Sequence, residues 1–361
     1  MLNINLKLSW FITLTLFIIC PRQGWTRHLM IQCHIINFTD GKMIRSFGHN
    51  RCLFLNDGRY LSGNAFKLSM YNSEGGLIWT RNINTHHQLN FESSQNQALV
   101  MTSKFHKYSI KNTHPLVRFD RISVIDFNGL ELKYFDFFEH RAHLSKALGV
   151  KKINPVAIGN PHQLKAMPNG VQFEHTHANS VYQIDDNSLN KSHPAFQKGN
   201  YIVNMILPSL TFIIDQRMER ILWSIIPPID DGNSSQWHDV QVQPNGWLLV
   251  YNNNAGAISD KKFSQIEEIH PLTKERKIIY RATPPHTFYS PNQGGVQILS
   301  NGQTLFNQTK EYGMYSLLSK DRKIIWQRNG PNIDHVTQKP SDFQQVKYVD
   351  LSDFLNNHKG L

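Results

Sequence analysis

Along residues 237–251 the chain alternates apolar and polar side chains with a period of two. Val240 and Val242 alternate with Gln241 and Gln243, Pro244-Asn245-Gly246 follows, and the run from Trp247 to Tyr251 returns. Alternation on both sides of an Asn-Gly turn predicts a β-hairpin with one face in a core. Related patterns recur along the whole chain. A strand, a polar turn and a second strand ending in an aromatic appear at His34–Phe47, Met70–Trp79, Val124–Tyr134, Ile213–Trp223, Ile269–Tyr280 and Leu317–Trp326.

A second type of hairpin lies between these copies, at Leu53–Leu61, Leu89–Met101, Val181–Val203, Val240–Tyr251 and Val296–Phe306. Two hairpins per unit, at a spacing of roughly 50 residues, are the composition of a propeller blade. The expected fold is therefore all-β, a six-bladed β-propeller with four-stranded blades. The first unit lacks its first hairpin, and Val346–Leu351 supplies a strand that closes the ring between the two termini. No long amphipathic helix is predicted; Leu144 to Leu148 reads as one or two turns.

Residues 138–176 interrupt the repeat with His140, His143, Lys146, Lys151, Lys152 and His162 among three prolines. An insertion of this length reads as a functional loop or lid, with Phe138 to Ile153 mobile. At the N-terminus, Lys7 precedes an apolar run from Leu8 to Cys20 that is too short for a comfortable membrane span. Residues 1–26 are expected to be a signal peptide or membrane anchor, and 27–361 a single propeller domain. The predicted location is periplasmic or secreted, with N-terminal membrane anchoring as an option. Ile19 before Cys20 is a poor context for lipid attachment.

Composition changes this picture little. The 361 residues carry a formal net charge of +11 and 18 histidines. No dense Lys/Arg run or known nucleic-acid motif accompanies that charge, so no nucleic-acid partner is expected, and an anionic small molecule is the sharper option. Outside the N-terminal run only Cys33 and Cys52 remain. They could pair in an oxidising compartment or stay as buried thiols.

In a propeller the first strand of each blade lines the central channel, so its opening residues converge there. His86 and His87 precede Leu89; His175, His177 and Asn179 precede Val181; His238 and Asp239 precede Val240. The equivalent positions in two other units are Gln293-Gly294-Gly295 and Asn50-Arg51-Cys52. Converging imidazoles suit a zinc site, an anion site or a histidine nucleophile. Zinc is disfavoured, since short-spaced His pairs with nearby carboxylates are lacking.

These residues also carry a resemblance. Leu77-Ile-Trp79 with His86-His87, Thr176-His-Ala-Asn-Ser-Val181, Trp237-His-Asp-Val-Gln-Val-Gln-Pro-Asn-Gly246 through Asn252-Asn-Asn254, and Gln293-Gly-Gly-Val-Gln-Ile-Leu-Ser-Asn-Gly302 resemble the bacterial aryl sulfotransferases. That family moves a sulfuryl group from an aryl sulfate to a phenol through a covalent histidine, in a ping-pong cycle without a cofactor. The resemblance implies that His238 is the nucleophile and His177 an acid or base. It also implies that His87, Asn179, Asp239, Asn252, Asn254 and Gly295 bind substrate. The implied partners are a small aryl sulfate and a phenol, and the oligomeric state is left open. One departure is visible: a family arginine aligns with Ile206, and another with Gln265. Arg51, Lys261, Lys262 and Lys310 are the alternative cations. The competing reading is a non-catalytic propeller that binds an anionic or aromatic ligand in the same channel.

Overall fold

The computed structural model describes residues 51–329 except 56, 65, 93–96, 160–169, 231–232, 254–262, 283–287 and 309–313. It also describes the backbone of four flanking strands, Leu16–Pro21, His34–Asn37, Met43–Ser46 and Phe343–Val349. Asn254, Lys261, Lys262 and Lys310 lie outside the described residues.

The strands form an all-β propeller. Five sheets have four strands each: the sheet shared by the termini, and those spanning 51–81, 177–225, 237–280 and 296–329. The expectation of six uniform four-stranded blades is thus corrected. The sheet that begins at Thr85–Phe91 has six strands, because part of the 138–176 insertion is built into it. Val171–Glu174 runs parallel to Leu116–Asp126, and Val156–Ala157 pairs with Val171–Glu174. In the terminal sheet Phe343–Val349 pairs with Leu16–Pro21, which pairs with His34–Asn37. The apolar N-terminal run therefore supplies one of its strands.

The expectation of a mobile tract from Phe138 to Ile153 is also corrected by the structure. A short helix, Arg141–Ala147, occupies it. Leu144 and Ile153 are buried in the core between the six-stranded sheet and the 177–225 blade, with Leu99, Ile122, Val124, Phe135, Val203 and Phe212. Burying a side chain of this kind stabilises the fold by roughly 1.5–3 kcal/mol, which anchors the tract.

Period-two patterning places apolar faces between neighbouring blades, and four separate cores lie among the described residues. Two of the aromatics that end outer strands have a use at these seams. Trp79 Nε1 donates to the Phe127 carbonyl of the next sheet at 2.8 Å, and Trp223 packs edge-on against Phe196 at 5.3 Å.

Near the axis, side chains of one blade cap backbone groups of the next. Gln88 Oε1 accepts from Val181 N at 3.3 Å, Ser180 Oγ from Val240 N at 3.2 Å, and Asp239 Oδ2 from Val296 N at 2.8 Å. Satisfying these buried amides locks the register of successive inner strands. The residues that open those strands are thereby held at fixed positions around the channel.

Candidate active site

The inner strands do not begin regularly. Pairing is interrupted between Thr85 and Leu89, between His177 and Ser180, and between His238 and Gln241. Bulges of this kind bend a strand and re-aim its side chains. At two of them a non-glycine residue takes the left-handed conformation, His87 at φ 53° and Asp239 at φ 53°. Such backbone is costly and persists where its surroundings over-determine it.

Three imidazoles come together on one side. The His87 ring lies 4.9 Å from His177, edge to face, and 5.1 Å from His86. The hydrogen bonds fix their protons. His86 Nε2 faces the Thr102 carbonyl at 3.0 Å and Asp120 Oδ1 at 3.2 Å, both acceptors only, so it carries the proton. His86 Nδ1 is then an acceptor, and His87 Nδ1, 2.8 Å away, donates to it. The bare nitrogen of His87 is therefore Nε2.

His177 is tied to a charged cluster that the sequence reading missed. Its Nδ1 lies 3.0 Å from Glu174 Oε2 and 3.3 Å from Arg118 Nη2. Arg118 pairs with Glu174 at 2.7 Å and with Asp120 at 3.5 Å. Asp120 Oδ2 also accepts from Thr176 Oγ1 and Ala178 N, each at 2.7 Å. An ionised carboxylate is the stronger acceptor, so His177 directs its Nδ1 proton to Glu174 and turns Nε2 away from the cluster. Arg118, Asp120 and Glu174 sit on a third-layer strand and its parallel neighbour, away from any repeat motif. Alternating charge along Arg118-Phe-Asp120 in an otherwise apolar strand was the available signal.

On the other side His238 is buried, at 4% exposure, and its partners are amides. Asn253 Nδ2 donates to the carbonyls of Ser290 at 2.8 Å and Gln293 at 2.5 Å, which fixes the amide orientation. Asn253 Oδ1 must then accept from His238 Nδ1, 2.6 Å away. His238 Nε2 keeps its lone pair and accepts from Gln293 N at 3.2 Å. Gln293 is itself in the left-handed region, and Gly294 beyond it lies so close to the Tyr251 ring that a Cβ would collide.

Burial sets the charge states. Desolvation lowers the His238 pKa to about 3, with His177 adding repulsion, against a hydrogen bond to Asn253. His87 lies well below the ordinary histidine value through desolvation first, then the charges of His177, His86, Arg51 and Arg118. His86 is lowered by burial, against the pull of Asp120. Asp120 is pushed to about 2; desolvation opposes this, but Arg118 and His86 outweigh it.

Asn179 Nδ2 donates to the Trp237 carbonyl at 2.9 Å, and Asn204 Nδ2 donates to Asn179 Oδ1 at 2.8 Å. Asp239 accepts from Gln88 Nε2 at 2.8 Å, from the Tyr182 hydroxyl and from Val296 N. It thus ties its own blade to three others. Asn252 is buried against Ser235 and Glu267, and the Gly295 amide donates to Asn307 Oδ1 at 2.7 Å. Ile206 is half-buried opposite Ser209 at the end of its strand. At Gln265 an arginine does arrive: Arg281 Nε donates to its Oε1 at 2.9 Å. Arg51 donates to the Thr85 carbonyl at 3.4 Å. Cys52 is disulfide-bonded, and its partner lies outside the described side chains. Among the described residues no three His, Cys, Asp or Glu side chains are arranged to hold a metal ion.

A propeller whose inner strands open on bulged histidines, beside a buried cation and two carboxylates, defines the class. The particular lineage follows from sequence: the chain belongs to the arylsulfotransferase (ASST) family, whose model matches residues 68–327. No curated protein matches the chain. Among solved structures it is similar to a protein of unknown function from Bacteroides caccae, at 14% identity and a TM-score of 0.56, over 93% of this chain and 99% of that one. A periplasmic gluconolactonase from Pseudomonas aeruginosa aligns at 10% identity and a TM-score of 0.47, over 93% and 99%. At 14% identity the likeness to the Bacteroides caccae protein is one of fold alone.

Proposed function

We propose that the protein is an exported enzyme that transfers a sulfuryl group from an aryl sulfate to a phenol through His238. In the first half-reaction the lone pair of His238 Nε2 attacks sulfur and the aryl S–O bond breaks. The phenolate leaves with that electron pair and takes the Nε2 proton of His177, which enters this step as the imidazolium with its Nδ1–H held by Glu174. In the second half-reaction an acceptor phenol gives its proton to His177 while its oxygen attacks sulfur. The N–S bond then breaks and returns the pair to His238.

The observation that carries this reading is the neutral state of His238, with Nδ1–H held by Asn253 and the lone pair on Nε2. A nucleophile must be unprotonated, and burial keeps it so. Negative charge gathering on the sulfuryl oxygens meets the field of Arg51, which reaches His87. The Arg118 guanidinium is already shared between Asp120 and Glu174, so its role is to position His177. A disulfide at Cys52 supports export to an oxidising compartment.

One contact favours a second reading. Gln293 N already occupies His238 Nε2, so attack requires the 293–295 backbone to move. A propeller that binds aryl anions without turnover would keep that cap closed. Incubating the purified protein with 4-nitrophenyl sulfate and a phenol separates the two. Nitrophenol release with a sulfo adduct on the His238 peptide is expected, and His238→Ala should lower the rate at least ~10³-fold. Binding of the aryl sulfate with no release would leave only the second reading.

A further inference from the structure

Beside the 138–176 insertion a cleft of about 670 Å³ opens between the short helix, the segment 151–154 and the turn that follows the strand Gln97–Lys107. Among the described residues Tyr108, Arg141, Lys151, Lys152, Asn154 and His175 supply its chemistry. That volume is the size of small-molecule pockets, well beyond what one inorganic ion fills. Three of these residues are cations, and among the described residues no carboxylate lines the cleft.

The wall nearest the core is aromatic. His175 stacks on Phe119 with ring centres 4.5 Å apart and meets Tyr108 at 5.5 Å. Lys152 Nζ sits 4.7 Å over the Tyr108 ring, and the Arg141 guanidinium 4.6 Å over Phe138. His175 is 2% exposed, and although the Ile153 backbone approaches the ring, its Nδ1 makes no hydrogen bond of normal geometry. A buried polar nitrogen without a partner costs free energy unless something in the cleft satisfies it.

We propose that this cleft is a second ligand site, separate from the channel, for a small aromatic oxyanion such as a sulfonate, sulfate or carboxylate. The ring packs against Tyr108, and the anionic group lies among Arg141, Lys151 and Lys152. The site adjoins the charged cluster of the other, since His175 N bonds the Arg118 carbonyl at 2.9 Å while His177 lies two residues on. It does not depend on sulfuryl transfer.

Benzenesulfonate is a suitable probe, because it has no group to transfer and so reports binding alone. Two readouts are expected. In mass-spectrometric footprinting with an acetylating reagent, benzenesulfonate protects Lys151 and Lys152 while exposed Lys198 and Lys320 react as before. In calorimetry at low salt, Lys151→Ala/Lys152→Ala weakens binding about five- to tenfold, whereas His238→Ala does not. Both lysines are exposed, so the double variant should melt with the wild type. Equal labelling of all four lysines with and without probe would overturn the proposal. So would binding that is lost in His238→Ala and unchanged in the lysine variant, or benzyl alcohol binding as tightly as benzenesulfonate.

Discussion

Around His87 and His177 stand a guanidinium and two carboxylates, Arg118, Asp120 and Glu174, whereas the hydrogen bonds of His238 go to the neutral amides of Asn253 and Gln293. Both halves grow from bulged openings of inner strands, yet one manages charge and the other excludes it. For a group-transfer site this division has a physical reason. A nucleophile needs a lone pair at working pH, which desolvation protects, while a proton donor needs water access and counter-charges. His177 keeps 17% of its side chain exposed, the more open of the two.

The largest test of this division is on stability. Asp120→Ala leaves Arg118 short of a counter-ion and strands the donors of Thr176, Ala178 and His86. Breaking a buried ion pair of this kind is expected to cost about 3–5 kcal/mol. Asn253→Ala removes neutral bonds only, and about 1–3 kcal/mol is expected. Urea unfolding of both variants checks the ranking, and an Asn253 variant that proved the less stable would end the charged-versus-neutral account.

A second test is kinetic and separates the roles of the two halves. His177→Gln should slow transfer from phenyl sulfate about 10²-fold, since a poor leaving group needs a proton. With 4-nitrophenyl sulfate the loss should be far smaller, because nitrophenolate leaves unaided. His238→Ala should lose both substrates alike. A His177 variant whose loss ignored the leaving group would mean that the ring only shapes the channel.

Much of this was legible in the sequence, for physical reasons that differ by region. Val240, Val242 and the Pro244-Asn245-Gly246 turn announce a hairpin because side-chain period and turn backbone are local properties. The imidazoles were legible too, since recurrence of the hairpin gives each blade the same phase. The expectation of four strands in every blade failed where the insertion was: Val171–Glu174 joins a sheet in parallel, and nothing local marks a parallel partner fifty residues away. The Arg118–Asp120–Glu174 cluster stayed hidden for a related reason. Those residues lie on non-inner strands and meet His177 and His86 only through the assembled sheet. The bulge at His87 and Asp239 was also unreadable, because left-handed φ at a non-glycine residue is imposed by tertiary contacts.

The smallest effect, and the one that weighs desolvation directly, is the pH dependence of stability. Burial holds His238 at about 3 and His175 at about 4, while an unfolded histidine titrates near 6.5. The unfolded chain therefore binds these protons first, so stability falls as pH drops below about 6.5 and keeps falling until the folded value is reached. At pH 5 each of the two imidazoles removes about 2 kcal/mol relative to neutral pH. Asp120, held at about 2, adds its own loss only below the usual carboxylate range, near 4. Between pH 6.5 and 4, then, the slope belongs mainly to the buried histidines, with His86 and His87 shifted in the same direction. Unfolding midpoints at pH 7, 6 and 5 should show this decline in the wild type. In His238→Gln the slope should shrink by up to one proton, about 1.4 kcal/mol per pH unit. An unchanged slope would mean that water reaches His238 and that its neutrality has another source than burial.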